Sequence, residues 1–568
     1  YVFLQYFVSS IQYPVSSIQY PVSIYPWATK TEFLKLISYA FIFFVTLNTI
    51  KTKQQITRIL SVIITAGFFM SIFYLMRYFG AKAPQGIINP DHFSGYLGMI
   101  IPLGLGLLFI RDMHDAQRTA HSAQRLLLFF TIITMSTALF FTMSRGGMFS
   151  FIIALLFIAG LTLTRKSIKK KGWITSAVAI FIILTIAWLG ATPVVERILS
   201  IKAEIASRYF GGRLPIWQGT LKMIKDYPLF GTGLGTFNYI FPKYQPASII
   251  SKHYTYAHSD FLELLSETGF IGFVLFALCA LLYALYAFRR FNARHDPWVV
   301  GMSIGLFGSL AAIFIHSFAD FNLHIPSNAI LLTLILALTI IVLNLKRDKF
   351  GERVVFKKIY IRFSRILMYP IVLTAFCFYI FATLRPAFAD FYFQKAMSSK
   401  FQTNQSILNA KRYTLNAIKF DPTNASYHYH LGKLYSKLLT ISYEPSAISY
   451  ELSAMSHQLS AYKKAVELNP TNSKYHQSLA WTYGQLFSLS KLSAKSYELS
   501  AEDCKQRAIS EFEKAIACNP NNPYRHRTYA IWLLNHPTEE NIEKGAVSYT
   551  HLRAHETSLH LVCRLLLE

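Results

Sequence analysis

Long apolar stretches alternate with short polar connections along the first two thirds of the chain. A helix needs about 20 mostly apolar residues to cross a bilayer, because lipid offers the backbone no hydrogen-bond partners. Ten stretches come near that length, and we expect each to span a membrane as a helix. They run from Leu34 to Ile50, Ile59 to Tyr78, Phe93 to Ile110, Leu126 to Met143, Gly147 to Thr164, Trp173 to Ala191, Thr268 to Phe288, Trp298 to Phe318, Ser327 to Leu345 and Ile366 to Leu384. The fourth and fifth stretches could also form one broken helix pair.

The basic residues lie mainly in alternate connections. Lysines and arginines cluster after the first, third, fifth, seventh and ninth stretches, and such loops remain on the cytoplasmic side of a membrane. We therefore expect the long connection at residues 192–267 to face outward, together with the tail after the tenth stretch. The formal net charge of +27, from 56 Lys and Arg against 29 Asp and Glu, then reflects membrane topology. We predict no nucleic-acid partner.

The composition becomes polar after Arg385, and three similar segments follow. They are NAIKFDPTNASYHYHLGKLY from Asn416, KAVELNPTNSKYHQSLAWTY from Lys464 and KAIACNPNNPYRHRTYAIWL from Lys514. Each predicts a helix, an Asn/Asp-Pro turn and a second helix, which resembles the tetratricopeptide repeat. The turn prolines are 48 and 50 residues apart, whereas that repeat has a period of about 34. The repeated SYELSA unit between them predicts longer helices or inserted loops.

The predicted fold class is therefore all-α. We expect a polytopic membrane bundle of about ten spans at residues 31–385 and a soluble tetratricopeptide-like domain at 386–546. Helical arrays of that kind bury a shared core and present a concave face to proteins or peptides. We expect the repeats to have a structural or partner-binding role rather than a catalytic one, with an envelope assembly protein as a candidate partner.

Both ends of the chain depart from the pattern of a natural protein. It begins at Tyr1 rather than Met, and Ser9 to Ser23 repeats a seven-residue unit. We expect residues 1–30 to be a truncated, low-complexity segment. Residues 547–568 resemble translated sequencing-adapter sequence, and we expect an artefactual tail. The five cysteines show no CxxC spacing, so the sequence predicts neither a metal site nor a disulfide framework.

Four polar patches interrupt the apolar pattern on the side that we expect to face outward. Charged groups there indicate function, because their burial is costly without a purpose. The first patch contains Asn89, Asp91 and His92 at the mouth of the third stretch. Helix capping and contacts to substrate hydroxyls are both open for Asn89 and Asp91. The second patch, SRGG, contains Arg145, whose guanidinium suits a diphosphate or a lipid headgroup.

The third patch lies in the long connection and contains Arg208, Arg213 and Trp217. Arg213 and Trp217 are four residues apart, so they share one face of a predicted interfacial helix. The GTGLG that follows is rich in glycine and could approach a phosphate. It lacks the strand and the Lys-Ser/Thr ending of nucleotide-binding loops, so a tight turn is the favoured interpretation.

The fourth patch, AHSDFLELLSETG, precedes the seventh stretch. His258 is a candidate general base, since imidazole accepts a proton near neutral pH. A purely structural role is the alternative for a lone histidine. Asp260 and Glu267 lie near the outer end of the predicted helix and could orient the imidazole, although helix capping is the favoured role for Asp260.

Taken together and in this order, the patches resemble the O-antigen ligase and polymerase family. The resemblance covers approximately Trp27 to Leu345 and rests on SRGG, the Arg-x-x-x-Trp helix with DYPLFGTGLG, and AHSD followed by ELLSETG. It implies that Arg213 and His258 are the essential residues. AHND is commoner in the family than AHSD, so an amide contact at Ser259 is in doubt.

The resemblance also implies an activity. Members act on polyprenyl-diphosphate-linked glycans, so we expect inverting glycosyl transfer without a metal or another cofactor. Arg213 and Arg145, with Arg208, would stabilise the diphosphate leaving group. Asn89, Trp217, Asp260 and Glu267 would complete the substrate site. The implied location is the bacterial inner membrane, with the repeats in the periplasm and membrane lipids as partners.

The acceptor remains open at this point. Lipid A core would make the protein a ligase, a second repeat unit a polymerase, and a protein side chain an oligosaccharyltransferase. A repeat array outside the membrane favours the polymerase, because it could hold a growing chain. A transporter or a non-catalytic envelope scaffold is the alternative from another class, and the outward cluster of charged residues argues against it.

Overall fold

The computed structural model describes most of the chain. The described residues are 1–12, 23–80, 89–111, 118–164, 180, 213–250, 252–348, 351–354, 365–399, 403–441, 448–492, 500–537 and 541–548. Their contacts group the chain into two compact units that interleave in sequence. The membrane unit contains Lys35–Trp217 and Tyr256–Ile359, and the repeat unit contains Tyr1–Leu34, Gln218–Thr255 and Tyr360–Glu568. The linear domain boundaries given above remain predictions.

Helices dominate both units, which confirms the predicted fold class. The helices up to the long connection are α1 (Val2–Gln12), α2 (Pro26–Thr49), α3 (Lys53–Tyr78), α4 (Pro90–Arg111), α5 (Arg118–Phe141), α6 (Arg145–Leu163), α7 (Arg213–Asp226) and α8 (Phe237–Tyr244). Next come α9 (Asp260–Asn292), α10 (Pro297–His316) and α11 (Pro326–Asn344). The remaining helices are α12 (Arg365–Met397), α13 (Asn404–Phe420), α14 (Ala425–Ile441), α15 (Ile448–Leu468), α16 (Ser473–Leu492), α17 (Ala501–Cys518) and α18 (Pro523–Leu534). An antiparallel hairpin of β1 (Leu345–Asp348) and β2 (Gly351–Val354) follows α11.

Eight helices within the described residues are long and apolar enough to cross a membrane. They are α2 to α6 and α9 to α11, which match eight of the ten predicted stretches. The sixth predicted stretch lies outside the described residues, and the tenth falls in α12, whose first turns are described only in part. The fourth and fifth stretches are separate helices, because Met143 adopts a φ of 55° and Ser144 caps α6.

The core of the membrane unit is formed by α4 and α10, the two spans with the largest buried fraction. Small residues let the two backbones approach closely. A Cβ atom on Gly305 would lie only 2.6 Å from the carbonyl oxygen of Pro102 and 2.9 Å from the Cα of Gly106. The Ser309 hydroxyl also donates a 2.6 Å hydrogen bond to the carbonyl of Met99. Small residues and polar cross-links of this kind hold membrane helices together, since lipid provides no hydrophobic driving force between them.

Basic connections meet at one end of this unit. Lys53, at the start of α3, lies 3.2 Å from the carboxylate of Asp296 at the start of α10 and 5.1 Å from the ring of Trp298. The Arg294 side chain, which follows α9, donates to the carbonyl of Leu343 at the end of α11. The start of α3, the end of α9, the start of α10 and the end of α11 therefore share one side, in agreement with the alternation predicted from the charges.

In the repeat unit, the predicted turns join α13 to α14, α15 to α16, and α17 to α18. The most extensive packing occurs between helices joined by the other connections, namely α12 with α13, α14 with α15, and α16 with α17. The first SYELSA unit lies inside α15, so longer helices account for at least part of the extended spacing. Each Asn/Asp-Pro turn is also braced by a histidine six residues after its proline. The Nε2 atoms of His428, His476 and His526 lie 2.9, 2.7 and 2.8 Å from the carbonyl oxygens of Pro422, Pro470 and Pro520.

The same turns bind two other segments of the chain. The indole N–H of Trp27 donates a 2.6 Å hydrogen bond to Asp421, and the Ala425 amide donates to the hydroxyl of Tyr25. The side-chain amide of Asn521 donates to the carbonyl of Gln245, at the end of α8. The edge formed by the turns is therefore occupied by segments of the same chain, residues 23–34 and 218–255.

Candidate active site

Polar side chains collect where several helices of the membrane unit begin or end. Helices α4, α6, α9 and α11 begin at this end, and α10 finishes there. The residues that predicted chemistry from the sequence lie at these same termini. They are Asn89 and Asp91 beside α4, Arg145 in α6, and His258 and Asp260 beside α9.

His258 occupies a turn whose shape the surrounding sequence determines. Its φ of 52° lies in the left-handed region that side chains other than glycine seldom adopt. The flanking residues hold it there. The Ala257 amide donates a 2.7 Å hydrogen bond to Glu263, and the hydroxyl of Ser259 accepts from the Leu262 amide as the cap of α9. Strained backbone of this kind occurs most often at functional sites.

Asp320 lies in the connection between α10 and α11 and faces three imidazoles. Its carboxylate is 3.8 Å from Nδ1 of His258, 3.6 Å from Nδ1 of His92 and 3.9 Å from Nε2 of His316. The carboxylate is only 1% exposed. Burial alone would raise the pKa of Asp320, but the polar contacts with His258 and His92 hold it well below its usual range. The carboxylate is thus a fixed negative charge beside the candidate base.

Aromatic rings surround this carboxylate. The ring of Phe321 makes edge contacts with His92 and His258, with centroids 4.5 and 4.9 Å apart, and stacks on Tyr256 at 4.5 Å. Tyr256 also contacts His324 at 4.7 Å. Such ring contacts orient the two imidazoles beside Asp320.

Asp260 ties the α10–α11 connection to the start of α9. Its backbone amide donates to the carbonyls of Ser317 and Asp320, and its carboxylate accepts from the Leu323 amide at 3.2 Å. The capping role that the sequence favoured for Asp260 is performed by Ser259 instead. The reason is positional, since the residue before the first helical turn has its side-chain oxygen nearest the free amides.

Arg213, the first residue of α7, reaches the same group of residues through Asp91. Its Nη2 atom lies 3.5 Å from the Asp91 carboxylate, and Asp91 is followed directly by His92. Arg213 and Asp91 are also close enough to His316 to interact with it electrostatically. Three contacts, from Arg213 to Asp91, from His92 to Asp320 and from Asp320 to His258, therefore connect the guanidinium with the candidate base.

Arg145 lies at this end of the unit and is followed by two glycines that allow close helix packing. A Cβ atom on Gly146 would lie 3.1 Å from Nε2 of His316, and one on Gly147 would collide with the side chain of Ser94. The SRGG motif thus lets α6 pack closely against the end of α10 and the start of α4. Arg145 is held at the amino terminus of α6, where the helix dipole also favours an anion.

The other predicted site residues are placed as follows. Asn89 accepts a 3.0 Å hydrogen bond from the Asp91 amide, which is the contact of a helix cap, and its role toward a substrate remains a prediction. Trp217 lies one turn after Arg213 on α7. Glu267 is buried in α9, two residues before Gly269, whose φ of 64° marks a kink. Arg208 lies outside the described residues.

Sequence reasoning missed the contribution of the α10–α11 connection. The segment HSFADFNLH, from His316 to His324, supplies Asp320 and Phe321, and its polar residues interrupt two apolar spans. That interruption was the signal that could have identified it. Among the residues that the structure describes, no group of three or more His, Cys, Asp or Glu is arranged to hold a metal ion.

Comparison with known proteins bears on this geometry. The family model described as O-Antigen ligase matches residues 130–277. That range includes Arg145, Arg213 and His258, whereas Asp91 and Asp320 lie outside it. No curated protein matches the chain. The predicted resemblance is confirmed for the central part of the chain, and the tetratricopeptide-like assignment remains a prediction.

Proposed function

We propose that this chain, which carries an O-antigen ligase domain, transfers glycan from a polyprenyl-diphosphate carrier to an acceptor hydroxyl on the extracytoplasmic side of a membrane. Within that class we favour a polymerase of surface polysaccharide. The observation that carries the proposal is the juxtaposition of His258 with the buried carboxylate of Asp320, in the unit where Arg213 also lies. A cation for the leaving group and a base for the acceptor are the two requirements of this reaction.

The reaction forms one bond and breaks one bond at the anomeric carbon. The acceptor oxygen attacks that carbon from the face opposite the diphosphate, so the configuration is inverted. His258 receives the proton of the acceptor hydroxyl, while polyprenyl diphosphate leaves with the electron pair of the broken carbon–oxygen bond. Asp320 stabilises the imidazolium that forms, in the way that a buried carboxylate supports a histidine base in other enzymes.

The leaving group carries negative charge, and Arg213 is positioned to bind it. In the present structure its guanidinium pairs with Asp91 at 3.5 Å, with the Arg213 side chain 23% exposed. That contact is loose enough for a diphosphate, a stronger bidentate partner, to replace it. Arg145 at the start of α6 adds a second cation, and Arg208 a third. Asn89, Trp217 and Glu267 complete the proposed substrate site, while Asp260 acts by holding the Asp320 connection in place.

The proposal is tested with purified full-length protein in lipid nanodiscs and a polyprenyl-diphosphate-linked oligosaccharide. We expect release of polyprenyl diphosphate, and His258→Ala or Arg213→Ala should lower its rate by roughly 10²-fold or more. His253→Ala in the same connection and Gln218→Ala on α7 are the matched controls, since both residues are exposed. Near-normal release by both site variants would remove His258 and Arg213 from the mechanism.

The same assay distinguishes the acceptors. A polymerase supplied only with the lipid-linked repeat unit forms longer glycans that remain attached to the carrier. A ligase forms product only after lipid A core is added, and an oligosaccharyltransferase only after a peptide acceptor is added. Protein that releases nothing under any condition would favour the non-catalytic scaffold.

A further inference from the structure

Five large apolar side chains form an exposed patch in the repeat unit. Phe3, Leu4 and Phe7 belong to α1, and Leu229 and Phe230 follow α7. Their exposed fractions lie between 47% and 58%. We call this group the apolar patch. An exposed cluster of this kind marks a surface that another apolar phase covers.

Hydrogen bonds bring the two parts of the apolar patch together. The hydroxyl of Tyr1 and the side-chain amide of Gln5 both donate to the carbonyl of Phe230, at 3.1 and 2.8 Å. The Phe3 and Phe7 rings stack at 5.7 Å on the same helix. The patch is therefore one continuous surface rather than scattered apolar residues.

The apolar patch lies beside the polar end of a membrane span. The ring of Phe3 is 5.7 Å from the ring of Phe33 on α2, one of the eight candidate spans. Phe33 stands where the charged residues Lys30, Glu32 and Lys35 give way to an uncharged run. That transition along a span marks the depth of the lipid headgroups.

The turn after Phe230 gives a second, independent contact with this end of α2. Gly231, Gly233 and Gly235 all adopt positive φ, which a side chain would disfavour. A Cβ atom on Gly235 would collide with the side chain of Glu32. The glycine turn is thus packed directly on the polar end of the span, which places the neighbouring Leu229 and Phe230 at the same depth.

We propose that the apolar patch inserts into the interfacial layer of the lipid bilayer, at the boundary of headgroups and acyl chains. Interfacial segments bury their apolar side chains about 5–10 Å into this region. Lys222 and Lys225, which are exposed on the helix leading to the patch, supply the positive charge that anionic headgroups attract. The occupant is lipid, because the patch adjoins a span whose surroundings are lipid. This inference holds whether or not the proposed function is correct.

The experiment measures depth directly with a nitroxide spin label in nanodiscs of zwitterionic and anionic phospholipids. The five natural cysteines are replaced by serine, and single cysteines are introduced by Phe230→Cys and Phe7→Cys. Gln506→Cys, at an exposed position of α17, is the matched control. Electron paramagnetic resonance then compares label accessibility to oxygen, which concentrates in lipid, with accessibility to a water-soluble nickel complex.

We expect oxygen accessibility to exceed nickel accessibility at positions 230 and 7, with the opposite order at position 506. A label at 230 and 7 that is as accessible to nickel as the control would overturn the proposal. Exclusion of both reagents would also overturn it, because that result indicates a protein partner or a second copy of the chain. The two patch positions lie on different segments, so one variant that fails to fold leaves the other to decide.

Discussion

At the scale of single residues, the charge of Asp320 beside His258 has a measurable consequence. The low pKa of Asp320 keeps its carboxylate ionised near neutral pH, so a fixed negative charge lies 3.8 Å from Nδ1 of His258. Asp320→Asn should lower glycan transfer by about 10²- to 10⁴-fold. Rates of polyprenyl diphosphate release between pH 5 and 9 provide the measurement.

Asp296→Asn is the control for that variant, since Asp296 pairs with Lys53 among the basic connections at its own end of the bundle. An Asp320→Asn protein with an unchanged rate would disprove coupling between the two residues. A lower rate that is matched by an equal loss of folded protein would indicate that Asp320 serves folding alone.

Sequence reasoning identified candidate residues where a motif was local and missed contacts where the partner was distant in sequence. Arg145 and His258 stand out because each interrupts an apolar pattern next to glycine or acidic residues. Asp320 lies two spans away from His258, and apolar periodicity indicates where helices begin without indicating which helix ends meet. The role of Ser259 was missed for a different reason, because helix boundaries are uncertain by one or two residues.

At the scale of elements, the repeat helices contain a pH-sensitive contact. His476 on α16 has Nδ1 2.6 Å from Glu511 on α17 and Nε2 2.7 Å from the Pro470 carbonyl. Both partners only accept hydrogen bonds, so both ring nitrogens donate and the imidazole is protonated. Burial acts to lower the pKa of His476, but its contacts with Cys518 and Glu511 raise it to about 9.

A raised pKa in the folded state means that protonation stabilises the fold. The stabilisation that protonation of His476 provides is complete below pH 6.5, the ordinary pKa of histidine. It is lost as the pH rises toward 9. We expect the unfolding temperature of the protein to fall by roughly 2–8 °C over that interval. His476→Gln should remove most of this dependence. His428→Gln is the control, since burial lowers the pKa of His428. Thermal unfolding at several pH values tests this, and an identical pH dependence in wild type and His476→Gln would refute it.

The helices themselves were largely predictable, and their packing was not. Eight apolar stretches coincide with described spans because span length follows from bilayer thickness. The central position of α4 and α10 depends on small residues such as Gly106 and Gly305 meeting across two helices, and no pattern within one helix reveals that. The histidine braces were visible in the sequence as a Pro-x5-His spacing repeated in the three turn segments, although only the contacts gave the spacing a meaning.

At the scale of the whole molecule, the alternation of basic connections predicts which ends face the cytosol. Lys51 and His253 are both exposed, and they belong to connections that we expect on opposite sides. In intact cells, a cysteine at position 253 in the cysteine-free protein should react with a membrane-impermeant maleimide. A cysteine at position 51 should react only after the membrane is permeabilised. The reverse pattern would invert the topology and place His258 in the cytosol, which would exclude the proposed reaction.

The hydrogen bonds that hold residues 23–34 and 218–255 against the repeat turns also set the order of events during biosynthesis. Trp27 and Asp421 are 394 residues apart, and Gln245 and Asn521 are 276 residues apart. A ribosome inserts the early spans long before these partners exist, and contacts between distant segments form slowly. The loop that leads to His258 therefore reaches its final form only when synthesis of the chain is nearly complete. Until then residues 23–34 and 218–255 lack the partners that hold them, so these two segments are the last to be fixed in place.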